Sequence, residues 1–125
     1  LLTDRINRIA SPTDICLDLH LNSHSNQTAN GTEVIISNDA TDFEISIAVK
    51  LLNATARTLQ TNIRGIKSEC ETPHQRLAML HLNCQNIILE VCFCTNPTDG
   101  KLYTSHFEQL AQAIARTLAE NIVIP

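Results

Sequence analysis

Between Asp14 and Asn22 the chain reads Asp-Ile-Cys-Leu-Asp-Leu-His-Leu-Asn. Ile15, Leu17, Leu19 and Leu21 fall at every second position, with Cys16, Asp18 and His20 between them. Side chains on a strand alternate between faces, so this pattern predicts a β-strand with one apolar face and with Asp18 and His20 together on the other. A polar stretch rich in Asn, Ser, Gln and Thr runs on from His20 to Gly31. A histidine leaving the end of an apolar strand is well placed for chemistry, because ligands of α/β sheets bind at strand carboxyl ends.

The rest of the chain supplies partners for that strand. Leu2, Ile6 and Ile9 recur at helical spacing and predict the end of an amphipathic helix, stopped before Pro12, with no capping residue ahead of it. Gly31 gives a turn into a second strand, residues 32–37. Thr41-Asp42-Phe43-Glu44 is a capping-box pattern, and Ile47, Ala48, Leu51, Leu52 and Leu59 behind it form one helix face to about Gln60. Residues 63–71 are polar around a short apolar centre, Pro73 marks a loop, and residues 75–80 suit a short strand. Residues 86–93 predict another strand, with Ile87, Leu89 and Val91 on one side and Ile88, Glu90 and Cys92 on the other. Asn96-Pro97-Thr98-Asp99-Gly100 punctuates it. Ser105-His106-Phe107-Glu108 is a second capping-box pattern, followed by Phe107, Leu110, Ala111, Ile114, Ala115 and Leu118 at helical steps. That helix ends near Asn121, and residues 122–125 trail off. Alternating strands and helices define an α/β fold, expected here as a central mixed, mostly parallel sheet with helices on both faces. At this length a single domain spanning 1–125 is expected.

Composition narrows the function. Aromatic residues make up only 3% of the chain, too few for base-stacking platforms. The formal charge is -4 and no basic cluster occurs, which argues against nucleic acid and anionic membranes as partners. No apolar run approaches the length of a bilayer span, and Leu1-Leu2-Thr3-Asp4-Arg5 lacks the basic-then-apolar layout of a signal peptide. Five cysteines, Cys16, Cys70, Cys84, Cys92 and Cys94, are an odd number for a disulfide framework. Three lie in apolar runs, where thiols act as small hydrophobes, and this usage suggests synthesis in a reducing compartment.

His20 and Glu90 stand out because each interrupts an apolar strand near its end. A glutamate there is costly to bury unless it is paired, metal-bound or protonated. The bland alternatives are a strand-end glutamate reaching water and a histidine satisfied by Asp18. Taken together, the two suggest metal-assisted hydrolysis. A catalytic zinc keeps three protein ligands and one open position, and it activates the water held there. A carboxylate that is not a ligand can take that water's proton and return it to a leaving nitrogen. His20 suits the ligand role and Glu90 the acid/base role. Asp18 could orient the imidazole, although residues two apart on a strand are expected to be far for a direct bond. His24 forms an H-x3-H spacing with His20, but that spacing crosses from strand into loop. His74, His81 and His106 are expected to be solvated, and Arg64 to form a surface salt bridge.

The segment Asp14-Ile15-Cys16-Leu17-Asp18-Leu19-His20-Leu21-Asn22-Ser23 resembles the strand of zinc-dependent N-acetylmuramoyl-L-alanine amidases that carries a metal histidine. Asn30-Gly31-Thr32-Glu33-Val34 resembles the step that follows it, and Arg64-Gly65-Ile66-Lys67 the family's Arg-Gly-Val-Lys segment. Ile88-Leu89-Glu90-Val91-Cys92-Phe93-Cys94-Thr95-Asn96-Pro97 resembles the strand and loop with the catalytic glutamate, and residues 99–122 the closing helix. The resemblance, closest in wording to phage and prophage endolysins, implies that His20 is a Zn2+ ligand and Glu90 the catalytic acid/base. It implies a peptidoglycan substrate, the amide between the muramic acid lactyl group and L-alanine, and action on the bacterial cell wall after synthesis in the cytoplasm. The family's Gly-His ligand on its first strand and its metal glutamate have no counterpart in the chain. The chain therefore resembles the carboxyl-terminal portion of the domain, with a second segment or chain expected to complete it. Two other readings stand beside this one: a non-catalytic peptidoglycan-binding or regulatory module with an incomplete metal site, and a zinc peptidase of similar architecture.

Overall fold

The computed structural model describes residues 1–122; the last three positions of the trailing end lie outside the described residues. Helix α1 covers Leu2–Ile9 and strand β1 covers Ile15–Asn22. Strand β2 (Thr32–Ile36), helix α2 (Asp42–Leu59) and strand β3 (Ile63–Ser68) follow. Two short 3-10 turns, Glu69–Glu71 and Ala78–Leu80, lead to strand β4 (Gln85–Phe93) and helices α3 (Pro97–Ser105) and α4 (Phe107–Asn121). The four strands form one sheet in the order β1-β4-β2-β3. β1 runs parallel to β4 and β2 parallel to β3, while β2 and β4 are antiparallel. The expected mixed, mostly parallel sheet is what forms.

The apolar side of β2 and β4 packs against α2 and α4, with Leu17 of β1 and Ile66 of β3 at the margin. Val34, Ile87, Leu89 and Val91 from the sheet meet Ile47, Leu51 and Leu59 from α2 and Leu110 and Ile114 from α4 in one buried cluster. β4 lies between β1 and β2, so Leu89 at its centre is fully buried. The opposite face is covered in part by the second 3-10 turn, where Leu80, Leu77 and Met79 pack on Ile35 and Ile88. β1 pairs only with β4 among the described residues, and its outer residues Leu19 and Leu21 remain exposed.

Helix α2 begins as its sequence predicts. The Thr41 hydroxyl accepts from the Glu44 N–H, and the Glu44 carboxylate accepts from the Thr41 N–H. Gly31 adopts φ +107°, and a Cβ there would lie 2.6 Å from the Asn62 carbonyl oxygen, so both backbone and space demand glycine. Asp99, 3% exposed, then joins two strand ends by accepting from the N–H groups of Gly31 and Phe93 at 2.8 and 2.9 Å.

Several expectations fail locally. Residues 75–80 are not a strand: Gln75 takes φ +57°, the chain turns, and the 3-10 turn follows. Residues 63–68, which show no clear period, form β3 because an edge strand can be polar on much of its surface. Asn96 does not merely punctuate: its side chain accepts from the N–H groups of Thr98 and Asp99 and caps α3, with Pro97 at the first helical position. Ser105 does not cap α4, since its hydroxyl donates back to the Lys101 carbonyl, and His106 divides the expected closing helix in two. Cys92 does not share the face of Glu90. The pairing advances from His20↔Glu90 to Asn22↔Phe93, one extra residue on β4, and this bulge turns Cys92 into the core beside Val91.

Candidate active site

The sheet register brings the two singled-out residues together. His20 on β1 is the direct partner of Glu90 on β4, and Glu90 is in turn the partner of Glu33 on β2. Partnered residues point to the same face, so the three side chains form a row across the sheet. His20, Glu90 and Glu33 all line one cleft of about 550 Å³ on the face away from α2 and α4. Asp18, Asn22, Lys67, His74, Leu77 and Met79 line it as well.

His20 Nε2 lies 3.0 Å from Asp18 Oδ2. The distance expected to be long is thus a direct contact, because the two side chains share a face and the imidazole folds back along the strand. Glu90 Oε2 is buried without a hydrogen-bond partner. Burial raises the Glu90 pKa, and the nearby carboxylates of Glu33 and Asp18 raise it further against the opposing pull of His20. An acid/base group benefits from a proton affinity moved towards neutrality.

Glu33 is the best-held carboxylate in the cleft. It accepts from Asn22 Nδ2 at 2.8 Å, Arg64 Nε at 3.0 Å and Lys67 Nζ at 2.8 Å. Asn22 is on β1 and Glu33 on β2, so the first of these bonds crosses β4, the strand that carries Glu90. Arg64 is also stacked over the Phe93 ring, 4.9 Å from its centroid, and its partner Glu33 is buried. This is a half-buried network, not the surface salt bridge expected for Arg64. The sequence singled out neither Glu33 nor Lys67 for chemistry; both lie inside the quoted segments, but only the sheet register shows that they meet.

The remaining histidines separate. His24 Nδ1 accepts from the Asn26 N–H within the polar loop, away from the cleft lining. His81 is not solvated but bonded to buried Glu69, and His106 Nδ1 contacts the Leu102 carbonyl. His74 is exposed and borders the cleft. Among the described residues, no group of three or more His, Cys, Asp or Glu side chains could hold a metal ion. The donors among the described residues therefore do not complete a zinc shell, which needs three protein ligands in a catalytic site.

Glu33 and Glu69 hold their protons less tightly than an ordinary glutamate. Burial opposes this in both, but it is outweighed at Glu33 by Lys67 and Arg64, and at Glu69 by the Leu77 N–H and His81. A carboxylate with a lowered folded pKa stabilises the fold above its unfolded pKa, about 4.3, and loses that contribution as pH falls through the folded value. The thermal midpoint is expected to drop steeply below about pH 4. Replacing both glutamates by glutamine should flatten that acid limb, and an unchanged limb would contradict the assignment.

The fold and cleft define an α/β protein with a partly buried carboxylate, Glu90, paired across the sheet with a histidine, His20. The family model described as N-acetylmuramoyl-L-alanine amidase matches residues 2–120. The chain belongs to the N-acetylmuramoyl-L-alanine amidase family. Comparison with curated proteins finds no match. Among solved structures it is similar to the catalytic domain of the CD27L endolysin targeting Clostridia Difficile, at 22% identity and a TM-score of 0.76, covering 98% of this chain and 62% of that one. It is similar to the N-acetylmuramoyl-L-alanine amidase from Clostridium difficile 630, at 24% identity and a TM-score of 0.68, covering 86% and 56%. It is also similar to the amidase AmiC2 of Nostoc punctiforme, at 23% identity and a TM-score of 0.66, covering 95% and 61%. At these identities the likeness is one of fold, and the chain spans about three-fifths of each relative's length. No helix among the described residues is long and apolar enough to cross a membrane.

Proposed function

We propose that this chain is the carboxyl-terminal portion of a zinc-dependent N-acetylmuramoyl-L-alanine amidase, made in the cytoplasm and acting on the bacterial cell wall in the manner of an endolysin. Its substrate is the amide between the muramic acid lactyl group and L-alanine of peptidoglycan. The observation that carries the reading is the direct pairing of His20 with Glu90 at one cleft, in a chain of this family. Glu90, with one buried oxygen left free, takes a proton from the attacking water and returns it to the leaving nitrogen. Asp18 fixes the His20 ring. Asn22 and Glu33 bridge over β4 and hold the floor around Glu90.

His20 would be one ligand of a zinc ion, and such an ion would supply a more acidic water and a polarised carbonyl. The described residues do not complete the shell, so the other ligands would have to come from a second segment or chain. Among the described residues β1 is an end strand paired only with β4, and this open edge supports an added strand on that side. In the completed domain, His20→Ala is expected to lower both bound zinc and release of peptides from muramoyl-L-alanyl substrates, read by elemental analysis and mass spectrometry. Full zinc content in that variant would contradict the ligand role. The incomplete donor set also favours a second reading, a peptidoglycan-binding or regulatory module without catalysis. Saturable muramyl-peptide binding with no hydrolysis in the completed, zinc-loaded domain would select it.

A further inference from the structure

The cleft has a floor, the sheet, and a wall, the segment from Glu71 to Met79. A buried group that the chemistry at Glu90 does not use holds this wall in place. Glu69 lies just beyond the end of β3 and is 1% exposed. Its carboxylate accepts from the Leu77 N–H at 2.9 Å, and His81 Nε2 lies 2.9 Å from it. The same carboxylate accepts from the Ser37 hydroxyl and the Asn38 N–H, both at 3.4 Å, just past the end of β2. One anion therefore ties the far end of the wall to two strand ends. Between these pins, residues 73–76 are exposed and Gln75 takes φ +57°. Leu77 and Met79 line the cleft from the wall while packing towards Ile35 and Ile88.

We propose that Glu69 and His81 are positioning residues: the hydrogen bonds of buried Glu69 to His81 and to the Leu77 N–H seat the segment from Glu71 to Met79 as the wall against which the peptide part of a muramyl substrate lies. The substrate half of this statement rests on the amidase reading, whereas the seating does not. Removing the His81 donor leaves a buried carboxylate short of a hydrogen bond, which weakens its hold on the Leu77 N–H and lets the wall lift locally. The remainder of the core, on the other face of the sheet, is untouched.

Limited trypsin digestion of the 125-residue chain reads the seating directly. Arg76 is exposed, and the bond after it carries the Leu77 N–H that Glu69 holds. Cleavage there requires release of that N–H, and its rate tracks the open population. His81→Leu is expected to speed cleavage after Arg76 by about tenfold or more, and His81→Gln, which keeps a donor, to stay near the wild-type rate. Cleavage after Lys50 and Arg57 in α2 should not change. Equal rates in wild type and His81→Leu would overturn the proposal, as would a parallel increase at all three sites. In the wild type, slow hydrogen exchange at the Leu77 amide is expected, and exchange as fast as at exposed Arg76 would overturn the seating without any variant. Added muramyl dipeptide should slow the Arg76 cut in the wild type. Failure of that protection alone would contradict the substrate reading and leave the seating standing.

Discussion

Glu90→Gln is expected to lower amide hydrolysis by the completed domain by about 10²–10⁴-fold, the usual worth of a positioned acid/base group. The same change is expected to raise the stability of the chain at neutral pH. Glu90 pairs with His20 on one side and Glu33 on the other, and burial holds its pKa up. A group whose folded pKa exceeds its unfolded value favours folding while protonated and opposes it once ionised. Glutamine removes the ionisation and keeps the shape, so the gain should be largest above the folded pKa and vanish as pH falls below about 4. Loss of turnover with gain of stability is the mark of a group kept for function. A variant that loses activity because it unfolds would show the opposite stability change.

Glu33→Ala is expected to destabilise the chain by about 1.5–3 kcal/mol, the range for losing hydrogen bonds to a charged group, since the cations left behind are partly exposed. The Glu33 side chain is 7% exposed and faces two cations. Its loss strands Arg64 and Lys67 and frees Asn22 from the bond that crosses β4. Lys67→Met should cost far less, because the Lys67 side chain is 34% exposed and Arg64 still neutralises Glu33. Urea denaturation of both variants checks the ranking. A cost below about 1 kcal/mol for Glu33→Ala would mean that the network is not what holds the cleft floor.

The parts of the fold legible in the sequence are those with one dominant periodicity. The core of β4 shows period two, and α2 and α4 show helical spacing, because each buries one face, while β1 keeps the same alternation with its apolar residues half-buried or exposed. β3 escaped because its sequence Ile-Arg-Gly-Ile-Lys-Ser sits at the sheet edge, where no single face must be apolar. α3 escaped because Asn96-Pro97 signals both a break and a helix start, and only the capping bonds decide between them. The bulge at Val91–Cys92 leaves no local mark, since both residues are apolar and suit either face.

The candidate site divides in the same way. His20 and Glu90 were visible because each is polar within an apolar run. Glu33 was not, because a glutamate near a strand start is unremarkable until register sets it beside Glu90 and opposite Arg64 and Lys67. Glu69 and His81 are twelve residues apart across two turns, and no periodicity links them. The zinc shell behaves differently again. The sequence implied a single histidine ligand, and the folded chain gathers no further set around it among the described residues.

The cleft of His20 and Glu90 is proposed as the site that cuts the lactyl amide of peptidoglycan. Mass spectrometry of purified peptidoglycan, digested by the completed and zinc-loaded domain, tests it most directly. Stem peptides with free L-alanine amino termini and glycan strands with free lactyl carboxyls are expected, both strongly reduced with Glu90→Gln. Fragments cut between two amino acids of the stem, or the same products at the same rate from the Glu90 variant, would contradict it.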